Sequence, residues 1–229
     1  EVEKMSKSKY NVQTPDTLVE KFGADTLRCY EMFLGPLEQH KPWDVQGITG
    51  VEGFLKKLWR LFHENNKLNV SNQEPTKEEL KSIHKAIKKT QEDLERYSFN
   101  TPVSIFMICV NELSALKCNK KAILSDLCLI VSPYAPHICE ELWQKLGNKE
   151  SISFAKFPKY NPKHLVENSH KYPVSFNGKM RFILELPVNI SNEETVKEVL
   201  KNEKTLKYLE GKTPKKIIVV PRKIVNIVL

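Results

Sequence analysis

Two lysines and two serines fall within five residues, Lys4-Met5-Ser6-Lys7-Ser8, and of all the side chains in this sequence they are the best suited to phosphate chemistry. Ammonium groups on flexible stems can meet charge as it develops, and small hydroxyl residues let the backbone close on phosphate oxygens. When a carboxylate attacks the α-phosphate of a nucleoside triphosphate, negative charge builds on the phosphate oxygens and pyrophosphate leaves. An ammonium that arrives in that state lowers the barrier. Lys7 is the first candidate for this catalytic role and Lys4 the second, with Lys4, Met5, Ser6, Lys7 and Ser8 together as the binding segment. A string this short also occurs as a plain solvated loop, so its surroundings must decide.

Other chemistry finds little support. His40, His63, His84, His137, His164 and His170 have no ligand spacing and are expected at surface or capping positions, and no metal residue is assigned. Cys29, Cys109, Cys118, Cys128 and Cys139 form no CxxC pair, and four fall in helical stretches, which fits free thiols. Trp43, Trp59 and Trp143 are expected in packing, and Asp44 is as good a helix cap as a contact residue. The sequence has neither an apolar run of membrane-spanning length nor a signal-peptide pattern, so a soluble, cytoplasmic protein is expected; a monomer is expected as well.

The elements that must position the loop follow from caps and periods. Thr14-Pro15-Asp16 is a helix start with a capping hydroxyl and a proline at the first helical position, and Gly23 is placed to end that helix. A second helix is predicted from Ala24 to Leu34. A third runs from Gly47 to Asn65, with Ile48, Val51, Leu55, Leu58 and Phe62 at steps of three and four. After a loop from Asn66 to Pro75, Thr76 to Glu79 reads as a capping box for a helix with core face Leu80, Ile83, Ile87 and Leu94. Thr101-Pro102 opens a helix with core face Ile105, Ile108, Cys109, Leu113 and Leu116. Two more are predicted over Lys120–Ser132 and His137–Leu146.

Beyond Ser151 the period changes. Ile152 to Phe157 is expected as a short strand and Pro158 to Ser169 as a polar connection. Tyr172, Val174 and Phe176 alternate toward Asn177-Gly178, and Met180, Phe182, Leu184 and Leu186 alternate away from it, the pattern of a hairpin with a two-residue turn. A capping box at Ser191 to Glu194, a second helix ending at Gly211, and strands over Ile217–Val220 and Ile224–Val228 complete the chain. The fold class is therefore mainly α with a small α+β domain, an antiparallel helical bundle followed by a compact hairpin, helix and hairpin unit. The expected divisions are a loop remnant over 1–14, a bundle over 15–157, a linker over 158–170 and an α+β domain over 171–229.

The net charge of +8 is uneven: residues 163–229 hold 13 Lys/Arg against 7 Asp/Glu. Strand alternation places Lys179 and Arg181 opposite Met180 and Phe182, away from the core. With Lys212, Lys215, Lys216, Arg222 and Lys223 they are the candidates for phosphate contact, the other reading being a solvated strand face.

Lys4 to Asn11, followed by Thr14-Pro15-Asp16 and by Phe22 to Arg28, resembles the segment joining the KMSKS loop to the helical domain in class I aminoacyl-tRNA synthetases. Met32 to Gln39, Lys41 to Asp44 and Gly47 to Leu61 are most similar to the leucyl enzymes. Phe176 to Arg181, Lys207 to Thr213 and Lys215 to Leu229 resemble the C-terminal domain of the bacterial-type leucyl enzymes. The likeness is weaker from about 66 to 130. One departure is Tyr10, where the family commonly has Gly, and this bears on the loop's resting conformation rather than its cations.

The resemblance implies a parent enzyme that uses ATP and Mg2+ to convert leucine to leucyl-adenylate and then charges tRNA(Leu). This segment would supply the loop, an anticodon-binding-type bundle and a C-terminal tRNA-binding domain. It would be inactive alone, because the nucleotide-binding Rossmann domain of that family precedes the loop. The alternative is a free-standing tRNA- or RNA-binding module.

Overall fold

Apolar residues at helical spacing organise the first of two units, Glu1–Leu165 and Val166–Leu229. In the computed structural model, which describes residues 3–44, 46–166 and 169–229, the chain is mostly helical with two small sheets. The first unit holds α1 (Pro15–Phe22), α2 (Ala24–Phe33), α3 (Gly47–Phe62), β1 (His63–Glu64), β2 (Lys67–Leu68), α4 (Lys77–Glu95), α5 (Asn100–Ala115), α6 (Lys121–Val131) and α7 (Pro136–Lys145). Ile48, Leu58, Phe62, Phe106, Leu127 and Leu142 are fully buried at its centre. Each such side chain stabilises the fold by about 1.5–3 kcal/mol.

The helix starts are uneven in their chemistry. At α4 the Thr76 hydroxyl accepts from the Glu79 N–H at 3.2 Å, and the Glu79 carboxylate accepts from the Thr76 N–H at 2.7 Å. Thr14, expected to cap α1, makes no such bond; its hydroxyl lies 2.7 Å from that of Thr17. α7 is capped from a distance, because the Asp25 carboxylate on α2 accepts from the N–H groups of His137 at 3.2 Å and Ile138 at 2.7 Å. Trp43 packs edge-on to Tyr30, and the Tyr30 hydroxyl donates to the Asp44 carbonyl. The Asp44 carboxylate accepts from the Gln46 N–H at 2.8 Å.

Several expectations are corrected. The third helix stops at Phe62 because Asn65 and Asn66 take left-handed φ values of 50° and 61°, which Asn tolerates, and the chain folds back as the β1–β2 hairpin. On α5 the buried face is Val103, Phe106, Cys109, Val110 and Leu113, so Cys109 and Leu113 lie where expected while Ile108 and Leu116 are 47% and 42% exposed. That helix is apolar on nearly every side, so periodicity alone did not select the face. Residues 152–154 form a 3-10 turn instead of a strand, since the Glu140 carboxylate accepts from the Ser151 hydroxyl and the Ile152 N–H at 2.8 and 3.0 Å. His84 is buried, not superficial. It stacks on His164 with ring centroids 4.6 Å apart and accepts from the Asn161 N–H, and burial together with His164 holds it below the usual histidine range.

The second unit contains β3 (Ser169–Phe176), β4 (Lys179–Pro187), α8 (Asn192–Lys201), α9 (Glu203–Leu209), β5 (Lys216–Val220) and β6 (Ile224–Val228). The strands lie in the order β4-β3-β6-β5, with β3 and β6 parallel at the centre. Tyr172, Val174, Phe176, Phe182, Val199 and Val225 form its core. Asn177 and Gly178, at φ 48° and 82°, make the hairpin turn. Ser191 caps α8 in a second capping box. Residues 167 and 168 of the expected linker, and residues 1 and 2 of the loop remnant, lie outside the described residues.

Candidate nucleotide loop and nucleic-acid surface

Ser6 to Tyr10 form one 3-10 turn: the Ser6 carbonyl accepts from the Lys9 N–H at 3.1 Å and the Lys7 carbonyl from the Tyr10 N–H at 3.2 Å. The Ser6 and Ser8 hydroxyls lie 3.2 Å apart. Lys9 pairs with Glu3 at 3.0 Å, and among the described residues neither Lys4 nor Lys7 has a carboxylate partner. Both remain exposed and available to an anion. Glu3 and Asn11 belong to the loop's structure although neither is among its candidate residues by sequence. The Asn11 carboxamide accepts from the Ser6 N–H at 2.9 Å and donates to the Lys4 carbonyl at 3.3 Å. An Asn shortly beyond a Ser-rich turn is the signal that could have identified it.

Tyr10 closes the turn in the left-handed region, at φ 52° and ψ 26°. It is 97% exposed, so no packing offsets the cost of placing a Cβ there. The position thus keeps the backbone conformation that suits Gly even though the residue is Tyr.

In the second unit the predicted cations do not form one patch. Lys179 follows the Asn177-Gly178 turn, beside the end of β6, where Gly178 N–H donates to the Asn226 side chain at 3.1 Å. Lys216 opens β5 opposite Val228, and the Lys215 N–H donates to the Val228 carbonyl at 2.8 Å, so both sit at the same end of the sheet. Lys212 lies on the segment leading into β5. Arg222 and Lys223 occupy the β5–β6 turn at the opposite end, where the Arg222 N–H donates to the Tyr172 hydroxyl at 3.1 Å.

The faces also differ from expectation. The β3–β4 register passes from Val174 opposite Phe182 to Ser175 opposite Met180, leaving Arg181 as the extra residue of a bulge. Lys179 therefore shares the face of Phe176 at the rim, while Met180, expected in the core, is 56% exposed on the other face. Arg181 lies over the Tyr208 ring of α9, 5.4 Å from its centroid. All seven cationic side chains are exposed and none pairs with an Asp or Glu among the described residues, although the Lys215 ammonium donates to the Leu229 main-chain oxygen at 3.2 Å.

In the first unit, a groove of about 700 Å³ lined by Arg28, His137, Glu140, Glu141 and Phe157 mixes both signs of charge and does not suit a polyanion. The five cysteines are buried free thiols, and burial pushes those of Cys29, Cys109 and Cys118 up to about 12, which makes them inert nucleophiles. No helix among the described residues is long and apolar enough to cross a membrane.

Residues 76–199 match a family described as the anticodon-binding domain of tRNA ligase. The chain is 60% identical over 228 residues to a leucine–tRNA ligase of Christiangramia forsetii and 61% identical over 228 residues to one of Flavobacterium johnsoniae. In each comparison all of this chain aligns, over 24% of the relative. It thus spans about a quarter of the length of the curated relatives it matches. Among solved structures it is similar to a LeuRS of Agrobacterium radiobacter K84, in a ternary complex with tRNA and LeuAMS. The TM-score is 0.66 at 28% identity, covering 98% of this chain and 30% of that one.

Proposed function

From a chain that belongs to the leucyl-tRNA synthetase family and carries its anticodon-binding domain, we infer the C-terminal part of an enzyme that attaches leucine to tRNA(Leu). In this reading the leucine carboxylate attacks the α-phosphate of ATP, pyrophosphate leaves, and the leucyl group then passes from the adenylate to the 3′ end of the tRNA. Lys7 is the residue that meets the charge developing on the phosphates, and Lys4 assists it. Ser6 and Ser8 supply hydroxyl donors around the same oxygens. Mg2+, when bound with the triphosphate, would add neutralising charge there.

The helical unit is read as an antiparallel bundle of the class I anticodon-binding type, supporting the tRNA. The α+β unit is read as a further tRNA contact through its exposed cations. Lys179, Arg181, Lys212, Lys215 and Lys216 serve at the turn end of the sheet, and Arg222 and Lys223 at the other. The observation that supports the catalytic part most directly is that Lys4 and Lys7 are exposed and have no carboxylate partner among the described residues, while Glu3 is occupied by Lys9.

The test is an enzyme completed by placing this chain behind the catalytic region of the Flavobacterium johnsoniae relative. Leucine-dependent ATP–pyrophosphate exchange is expected in the completed enzyme and absent from the chain alone. Lys7→Ala is expected to lower the exchange kcat on the order of a hundredfold, as for removal of one transition-state donor. Unchanged exchange in Lys7→Ala would sink the catalytic reading, and tRNA binding by the chain would then favour a pure binding module.

A further inference from the structure

We propose that Asn11 is a positioning residue for the adenylation loop, acting through Lys4 and Lys7 without touching the nucleotide; this rests on the function inferred above. The two ammonium-bearing residues lie on either side of Ser6, and an exposed loop of this kind has many backbone states. Fixing each residue costs conformational entropy, a cost that falls on the transition state unless the ground state already carries it. Asn11 removes part of it. Its Oδ1 accepts from the Ser6 N–H at 2.9 Å and its Nδ2 donates to the Lys4 carbonyl at 3.3 Å, so one planar group holds both limbs of the segment.

The closure is reinforced from the other side. The Lys9 and Tyr10 N–H groups bond to the Ser6 and Lys7 carbonyls, and the left-handed turn at Tyr10 brings the Asn11 side chain back over the start of the loop. A carboxamide is the only side chain of this length that both donates and accepts. Asp retains the acceptor but loses the donor, and Ala loses both. The clasp uses no ammonium group, and among the described residues the Lys4 and Lys7 side chains make no bond of their own, which keeps their charges for the phosphates.

In the completed enzyme, Asn11→Ala is expected to lower the exchange kcat on the order of ten- to a hundredfold, the scale set by misplacing a catalytic group. The KM values for ATP and leucine should change by less than about threefold, because the loss falls on the transition state. Asn11→Gln, which restores both a donor and an acceptor, should recover most of the rate, and Asn11→Asp should not. Melting temperature and tRNA affinity should stay at the parent values for all three.

If Asn11→Ala keeps the parent kcat while Lys7→Ala loses it, the clasp is wrong and the functional reading stands. If Lys7→Ala also keeps the parent kcat, both fall. A loss shared equally by Asn11→Ala and Asn11→Gln, accompanied by a lower melting temperature, would mark a merely structural residue and overturn the proposal.

Discussion

The helical unit and the α+β unit hold their lysines in different company. On α3, α4 and α7 the ammonium groups sit one turn from carboxylates, as in Lys56 with Glu52 at 2.6 Å, Lys88 with Glu92 at 3.8 Å, and Lys145 with Glu141 at 3.1 Å. In the α+β unit Lys201 pairs with Glu198 on α8, whereas the seven cations around the sheet pair with no Asp or Glu among the described residues. Exposed pairs of this kind stabilise a helix by only about 0.3–0.5 kcal/mol each. What the pairing changes is where positive potential is left for an acidic partner. The helical unit largely neutralises its own charge, and the sheet does not.

The largest expected effect comes from removing one side of the comparison. Phe106→Ala opens a cavity at the centre of the helical unit and should cost about 3–5 kcal/mol. Hydrogen exchange should report the loss of protection on α4 to α7 and none on β3 to β6. Equal loss in both would mean that the units do not stand independently.

Next in size is the charge itself. Replacing Lys215 and Lys216 together with Gln should flatten the dependence of log K for tRNA binding on log salt by roughly 1.4–1.8, the value for two phosphate contacts. Lys56→Gln with Lys145→Gln, which removes two paired lysines, should leave that slope in place. Identical slopes for the two double variants would erase the distinction between the units.

A smaller effect belongs to acidity. Burial pushes the Asp126 carboxyl of α6 up to about 6, from an ordinary value near 3.8. The folded chain thus holds a proton that the unfolded chain releases between those values. This contribution to the stability of the helical unit is fully present below about pH 4 and is lost as pH rises through 6. Chemical denaturation across that range should show the decline, and Asp126→Asn should flatten it.

Smallest of all is Tyr10→Gly. It relieves a left-handed side chain but returns backbone freedom to the unfolded state, two terms of about 1 kcal/mol that oppose each other. Exchange activity in the completed enzyme should stay within about twofold of the parent. A larger gain would mean that Tyr10 strains the loop.

Where the sequence carried local instructions, they were legible: the capping boxes at Thr76 and Ser191, the Asn177-Gly178 turn, and the apolar steps of α3. What escaped were features decided by contacts far along the chain. The Asp25 cap of α7 joins residues more than a hundred positions apart, and Glu140 captures the 152–154 turn. The bulge at Arg181 altered the faces of Lys179 and Met180 because strand alternation assumes an unbroken register. At the loop, the cations could be named from sequence. The Asn11 clasp could not, since both of its bonds depend on the turn having already closed.

The strand order of the α+β unit also sets a schedule for its synthesis. β6 sits between β3 and β5, and Val174 pairs with Val225. The β3–β4 hairpin therefore emerges early, with one edge of β3 waiting for a strand still to be made. Until residues 224–228 arrive, that edge is an open template on which any other extended chain could pair. Synthesis that halts before Ile224 would release a hairpin lacking its inner neighbour, a product for proteolysis or aggregation rather than a smaller working domain.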